Sequence, residues 1–257
     1  MSGAPLLECR SLTRRFGGLV ALDAFYLEVR PGEVVGLIGP NGAGKTTAFN
    51  VVTGIHRPTA GEVCFEGRSL AGLRPSAILR RGIARTFQSI RLFRGMTALE
   101  NVLVGRHARL RTGPLGAILR SRRVVEEERA AVDFAMELLR FTGIGRHALA
   151  RADSLSYGDQ RRAEIARALA SEPRLLLLDE PAAGMNPREK GVLNELILAI
   201  RERGVTVLLI EHDMRVVMGI SDRVVVLDHG EKIAEGPPEA VRRDPKVLEA
   251  YLGSAHA

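Results

Sequence analysis

The stretch Gly39-Pro40-Asn41-Gly42-Ala43-Gly44-Lys45-Thr46-Thr47 fits the pattern G-x-x-x-x-G-K-[ST]. Its chemistry is phosphate binding. Glycine lets backbone N–H groups turn inward and approach phosphate oxygens without a Cβ in the way. The amides from Gly39 through Asn41, Gly42, Ala43, Gly44 and Thr47 are candidate donors, Lys45 reaches the β- and γ-phosphates, and the Thr46 hydroxyl is placed to ligate Mg²⁺. Three further spots carry usable chemistry. Asp179-Glu180 closes an apolar run, with Asp179 suited to Mg²⁺ through water and Glu180 to polarising an attacking water. His212 follows another apolar run, and Gln88 ends the strand-like segment Ile83–Gln88, where its side-chain carbonyl could meet Mg²⁺ or hold a water.

These groups need elements to position them. Val34-Val35-Gly36-Leu37-Ile38 reads as a buried strand leading into the glycine stretch, and Thr46 to Val52 as the helix leading out, with Gly54 just past its end. A helix starting there adds unpaired donors and the positive end of its dipole. Leu175 to Leu178 needs both faces covered, as in a parallel sheet, and Val205 to Ile210 is a second such strand. His212 therefore falls at a carboxyl end, where open α/β sheets bind ligands. Leu6–Phe16, Tyr26–Val29 and Val63–Glu66 read as strands of a small antiparallel sheet. Ile83–Gln88 reads as a strand, and Asp228-His229-Gly230 as the turn of a hairpin. Phe16 at a strand end is open to two readings, a core ring or a platform for a base.

From Ser89 to about Arg151 the pattern turns helical. Thr97 and Glu100 form a capping box, and Glu126–Phe141 repeats apolar residues at Val132, Ala135, Met136 and Leu139. Between Arg106 and Arg123 lie six arginines and the breaker Gly113-Pro114, read as a solvated face or a contact with lipid or a partner. Ser156 is a good N-cap, with Asp159 at the capping-box position, and a capped helix start is also an anion site. Pro238–Leu252 reads as one or two short amphipathic helices.

The 257 residues carry a net charge of +7, but aromatic residues are 4% and tryptophan is absent, which argues against base-stacking surfaces, so no nucleic acid is expected. No apolar run approaches the ~20 residues that span a bilayer, and the start lacks the charged and apolar regions of a signal peptide. Cys9 and Cys64 have no metal-ligand spacing and read as small core residues.

The phosphate stretch, Gln88, Leu155-Ser156-Tyr157-Gly158-Asp159, Leu178-Asp179-Glu180 and His212, in that order, resemble the ATP-binding subunits of ABC transporters. The resemblance implies an α/β fold of ABC ATPase type: a P-loop NTPase (RecA-like) core with an antiparallel β subdomain and an inserted helical subdomain. It implies one domain over 1–257, with core and β subdomain in 1–88 and 165–235, the helical subdomain in 89–164 and a helical tail in 236–257. It implies ATP and Mg²⁺, with Thr46, Gln88 and Asp179 at the metal. Phe16 would stack on adenine, Glu180 act as catalytic base, and His212 contact the γ-phosphate. Ser156 and Gly158 would close over the phosphate of a second cassette. Where the family usually has L-S-G-G-Q, this chain has Leu155-Ser156-Tyr157-Gly158-Asp159; where the family often has Asp after the catalytic strand, it has Asn186.

Gly82–Gln88, Arg91–Arg94, Leu155–Arg162, Ile210–Met214 and Ala250–Gly253 are similar to the branch serving branched-chain amino acid uptake. That branch implies a homodimer or a heterodimer with a second ATP-binding subunit, permease subunits in the membrane, indirect dependence on a periplasmic or extracellular binding protein, and a peripheral position on the cytoplasmic face of the inner membrane. Urea import and lipopolysaccharide export use similar subunits, and a soluble ABC ATPase acting on ribosomes or DNA is the remaining alternative.

Overall fold

A computed structural model of the chain describes residues 4–110 and 122–253. The elements used below are, in order, β1 (Leu7–Phe16), β2 (Leu19–Val29), β3 (Val34–Ile38), α1 (Lys45–Val52), β4 (Ala60–Phe65), β5 (Arg68–Ser69), α2 (Pro75–Arg81), β6 (Ile83–Arg85), α3 (Ala98–Arg106), α4 (Arg122–Phe141), α5 (Tyr157–Leu169), β7 (Leu175–Asp179), α6 (Pro187–Glu202), β8 (Thr206–Ile210), α7 (Met214–Ile220), β9 (Arg223–Asp228), β10 (Glu231–Gly236), α8 (Pro238–Val241) and α9 (Pro245–Gly253). The chain divides into two compact units, Met1–Ile78 with Arg174–Ala257, and Leu79–Pro173.

The first unit holds two sheets. In one, β2-β1-β4-β5 lie side by side and antiparallel, as the alternating segments predict. β2 starts earlier than expected, at Leu19, because its partly exposed first half still pairs with β1 across bulges near Ser11 and Ala24, both with positive φ. Cys9 and Cys64 are free thiols buried in this sheet, and burial pushes the Cys9 thiol up to about 12.

In the other sheet, the strands follow the order β10-β9-β3-β8-β7. β9, β3, β8 and β7 are parallel, and β10 folds back antiparallel through the His229-Gly230 turn, where both residues have positive φ. Every residue of β3, β7 and β8 is buried, which is why Val, Leu and Ile dominate them, with only Gly36, the tip Asp179 and the starting Thr206 departing. Such runs do not alternate, so polar groups at their starts help fix the register. Gly32 N–H donates to Thr206 Oγ1 at 2.9 Å, Val207 N–H to the Glu33 carbonyl at 2.9 Å, and Val34 N–H to Asp222 Oδ2 at 2.8 Å. With Leu37 opposite Ile210, and Ile210 opposite Asp179, the three strands finish level with one another.

In the second unit, α3 packs against α4 and α5. Thr97 and Glu100 form the expected capping box. The buried Asn101 accepts from Phe93 N–H at 2.8 Å and donates to the carbonyls of Phe93 and Thr97. The strand expected over Ile83–Gln88 stops at Arg85. Beyond it, the Phe87 and Gln88 carbonyls accept from the Arg161 guanidinium at 2.6 and 2.7 Å instead of from a neighbouring strand. Most of the arginine-rich stretch, with Gly113-Pro114, lies outside the described residues.

Arg161 is fully buried beside Glu164, 2.8 Å away and equally buried. Removing one partner of such a pair strands the other, at a cost of about 3–5 kcal/mol. Arg161→Met is expected to lower the guanidinium chloride unfolding midpoint by a corresponding amount; a variant as stable as the parent chain would show that the pair is dispensable.

Candidate functional site

Three strand ends build the site in the first unit. β3 runs into Gly39, β7 ends in Asp179 followed by Glu180, and β8 ends just before Glu211-His212. The level register brings these carboxyl ends to one edge.

The loop between β3 and α1 is held from several sides. A Cβ on Gly39 would collide with the Leu227 carbonyl, and one on Gly44 with the Ala21 carbonyl; both residues also sit at positive φ, so glycine is required twice over. Gly230 N–H, from the β9–β10 turn, donates to the Ala43 carbonyl at 3.0 Å. Gly44 is the N-cap of α1 and offers no side chain to the first-turn amides, which leaves that helix start suited to an anion. Thr46 is exposed on this turn and Thr47 half-buried.

Lys45 is 7% exposed. Its ammonium donates to the Gly39 and Pro40 carbonyls, each at 2.7 Å. Burial lowers its pKa, while the negative charges of Glu180 and Asp179 act the other way. The loop therefore has backbone donors, a desolvated cation and two nearby carboxylates, a donor set that fits a nucleotide phosphate with Mg²⁺. Among the described residues, no group of three or more His, Cys, Asp or Glu side chains is arranged to cage a metal. Mg²⁺ needs no such cage, since it keeps waters and binds through substrate phosphates and one or two protein groups.

Asp179 is buried at the tip of β7. Glu180 sits at φ +48°, a left-handed conformation that costs a non-glycine residue about 1–2 kcal/mol. Its N–H still donates to the Ile210 carbonyl at 2.9 Å, and its carboxylate lies 3.4 Å from His212 Nε2. Strain of this kind, held by the surrounding chain, is typical of groups with a task.

Phe16 is 39% exposed, so it is no core ring. It closes the β1 side of the hairpin whose Ala21 carbonyl crowds Gly44. The Arg14 guanidinium lies 4.3 Å from the ring centre, and His56 meets the ring edge-on at 5.2 Å.

Gln88, Ser156 and Gly158 belong to the second unit, where Arg161 draws them together by binding the Gln88 carbonyl from the helix that Ser156 caps. Ser156 Oγ accepts from Asp159 N–H at 3.2 Å and donates to Asp159 Oδ2 at 2.8 Å, as its N-cap position predicts. The other Asp159 oxygen accepts from Arg162 at 2.5 Å. The carboxylate that departs from the usual signature is thus balanced inside its own helix. Asn186, the other departure, caps α6 in a reciprocal box with Glu189.

A family model described as "ABC transporter" matches residues 22–183, from β2 through the loop after Glu180. A second, "Branched-chain amino acid ATP-binding cassette transporter", matches residues 231–257. The chain belongs to the ABC transporter ATP-binding cassettes. The cassette is 49% identical to the high-affinity branched-chain amino acid transport ATP-binding protein LivG of Salmonella typhimurium, over 98% of this chain and 99% of that one. It is 48% identical to the corresponding protein BraF of Pseudomonas aeruginosa, again over 98% and 99%. Among solved structures, the ADP conformation of an ATP-binding cassette from an ABC transporter superposes with a TM-score of 0.85 at 34% identity, covering 98% of this chain and all of that one. The expected α/β ABC ATPase fold is therefore the observed one.

Two residues of the cassette escaped sequence reasoning. Arg161 was legible only as part of a helical run; its pairing with Glu164 on the buried side was the available signal. Glu211, 1% exposed, accepts from Ala182 N–H at 2.8 Å, His212 N–H at 3.2 Å and Asp213 N–H at 3.4 Å. It ties the chain after Glu180 to the chain around His212.

Burial raises the Glu211 carboxyl above its ordinary 4.5, against the pull of those N–H groups. A raised folded pKa means that the fold binds the proton more tightly than the unfolded chain, so this contribution to stability falls as pH rises from 4.5 through the folded value. Glu211→Gln replaces an acceptor by a donor facing N–H groups. The variant is expected to lose about 1–3 kcal/mol near neutral pH and to lack that slope in a pH series of thermal unfolding; an unchanged slope would place the titration elsewhere.

Proposed function

We propose that this cassette is the ATP-hydrolysing subunit of an importer for branched-chain amino acids. The observation that carries the reading is the near-complete alignment with LivG, extended by the separate match of the C-terminal segment 231–257. Dimerisation and permease partners follow from membership of the family. No helix among the described residues is long and apolar enough to cross a membrane, in keeping with a subunit that docks on permeases at the cytoplasmic face of the inner membrane. The second cassette is an identical or a related chain, and a binding protein outside the membrane delivers substrate to the permease.

In this reading the backbone of Gly39, Asn41, Gly42, Ala43, Gly44 and Thr47 cradles the ATP phosphates, and Phe16 offers its open side to adenine. Lys45 exchanges its loop carbonyls for phosphate oxygens. Thr46 and Asp179 would hold Mg²⁺, which when bound would neutralise phosphate charge. Glu180 takes a proton from the attacking water, and His212, already beside it, holds that water in line. Ser156 and the amide of Gly158 in the partner cassette close over the γ-phosphate, so each ATP joins two chains through charge-assisted hydrogen bonds. Gln88, tied through its backbone to Arg161, connects that closure to the permease.

Glu180→Gln keeps the shape of the side chain and removes the base. It is expected to lower ATP turnover about 100-fold or more and to accumulate an ATP-bound dimer on gel filtration; a variant hydrolysing at the parent rate would remove Glu180 from the role. In cells whose only copy carries this substitution, uptake of labelled leucine is expected to fail while urea uptake is unaffected. Unimpaired leucine uptake at normal expression would send the assignment to another substrate.

A further inference from the structure

The chemistry proposed above uses nothing beyond His212, yet β9, the β9–β10 turn and α9 all reach back to the phosphate loop. β9 lies flush against Gly39 at the Leu227 carbonyl, and the β9–β10 turn holds the Ala43 carbonyl and, through the Gly230 carbonyl, Asp23 N–H at 2.9 Å. α9 then returns to the same place. Its Val247 is buried in a cluster with Ile38, Val217, Val224, Val226 and Val241, and Tyr251, one turn on, packs against that cluster. Ile38 is the residue directly before Gly39. The Tyr251 hydroxyl faces the Gly39 N–H, which opposes the rise in pKa that burial imposes on the phenol. Outside this contact, α9 and the loop form opposite walls of a cleft of about 710 Å³, with Pro40 to Ala43 on one side and Lys246, Glu249 and Ala250 on the other.

This arrangement gives α9 a handle on the first residue of the loop. Gly39 has no side chain with which to hold its own position, and its carbonyl is one of the two that Lys45 grips. A shift of Gly39 would disturb both the cradle and the cation. The C-terminal segment is also what sets this chain among the branched-chain cassettes, since it matches a family model of its own.

We propose that Tyr251 is a positioning residue for the phosphate loop: by seating α9 against Ile38 and Gly39 it couples docking of the C-terminal helix to nucleotide binding. The proposal rests on nucleotide binding at this loop. Coupling of two events is reciprocal: if the docked helix tightens nucleotide binding, bound nucleotide must tighten the docked helix by the same factor.

Titration calorimetry with Mg·ADP on the full chain tests the first half. The unmodified chain sets the reference; if it binds no Mg·ADP, the nucleotide-binding reading itself fails, independently of Tyr251. Tyr251→Ala is expected to weaken Mg·ADP binding about 5-fold or more, and to raise KM for ATP by more than it lowers kcat. Tyr251→Phe separates hydroxyl from ring: a loss equal to that of Tyr251→Ala assigns the positioning to the hydroxyl, and a smaller loss assigns it to ring packing. Leu248→Ala, on the exposed side of the same helix, is expected to bind as the parent does. Hydrogen exchange on the unmodified chain tests the second half without any variant: Mg·ADP is expected to slow exchange across residues 245–253. Parent-like Mg·ADP affinity in Tyr251→Ala, or exchange in α9 indifferent to Mg·ADP, overturns the proposal.

Discussion

The site depends on register. β3, β7 and β8 are apolar through their middles and buried on both faces, and a strand of that kind has no inside and outside to tell it where to stop sliding. A slip of one residue would move Asp179 and Glu180 by more than 3 Å relative to the phosphate loop. What opposes the slip stands at the other end of the strands. Thr206, Asp222 and the Glu33 carbonyl each accept a backbone N–H at the amino edge of the sheet. Arg223 adds a bond to Glu33 and another to the Glu28 carbonyl of β2. Polar groups far from the chemistry thus help to set where the chemistry occurs.

At the carboxyl edge the difficulty is charge. Lys45, Asp179, Glu180 and Glu211 are all drawn wholly or largely out of water, a costly arrangement unless each finds partners. Lys45 finds two carbonyls and the field of two carboxylates, and Glu211 finds three backbone N–H groups. Glu180 is the one placed in a strained backbone conformation, beside an imidazole that is half-exposed. The residue proposed to handle the proton is thus also the one held out of its preferred geometry.

How much of this could be read from sequence follows from how local each signal is. The phosphate loop was legible because its glycines, lysine and threonine act through their own backbone and first helical turn. Ser156 and Thr97 were legible as caps for the same reason. Phe16 was ambiguous because exposure at a strand end is decided by what lies across the sheet. Glu211 and Arg161 were missed because the partners that give them their roles are distant backbone groups, 29 residues away for Ala182 and 73 for Gln88; of Arg161's contacts named here only the pair with Glu164, three residues on, follows a spacing rule. The end of β6 was misplaced for a related reason: the polar segment looked strand-like, and only a distant guanidinium claims its carbonyls.

The position of Lys45 has one more consequence. Stripping water from an ammonium is among the larger electrostatic penalties in a protein, and here the fold itself has met it, with Gly39 and Pro40 as the solvent's replacements. An arriving phosphate therefore meets a cation already dehydrated, in a loop already shaped. Its affinity is spent neither on drying the lysine nor on ordering the backbone, and two carbonyl dipoles are exchanged for a full negative charge with less screening than an exposed ammonium would feel.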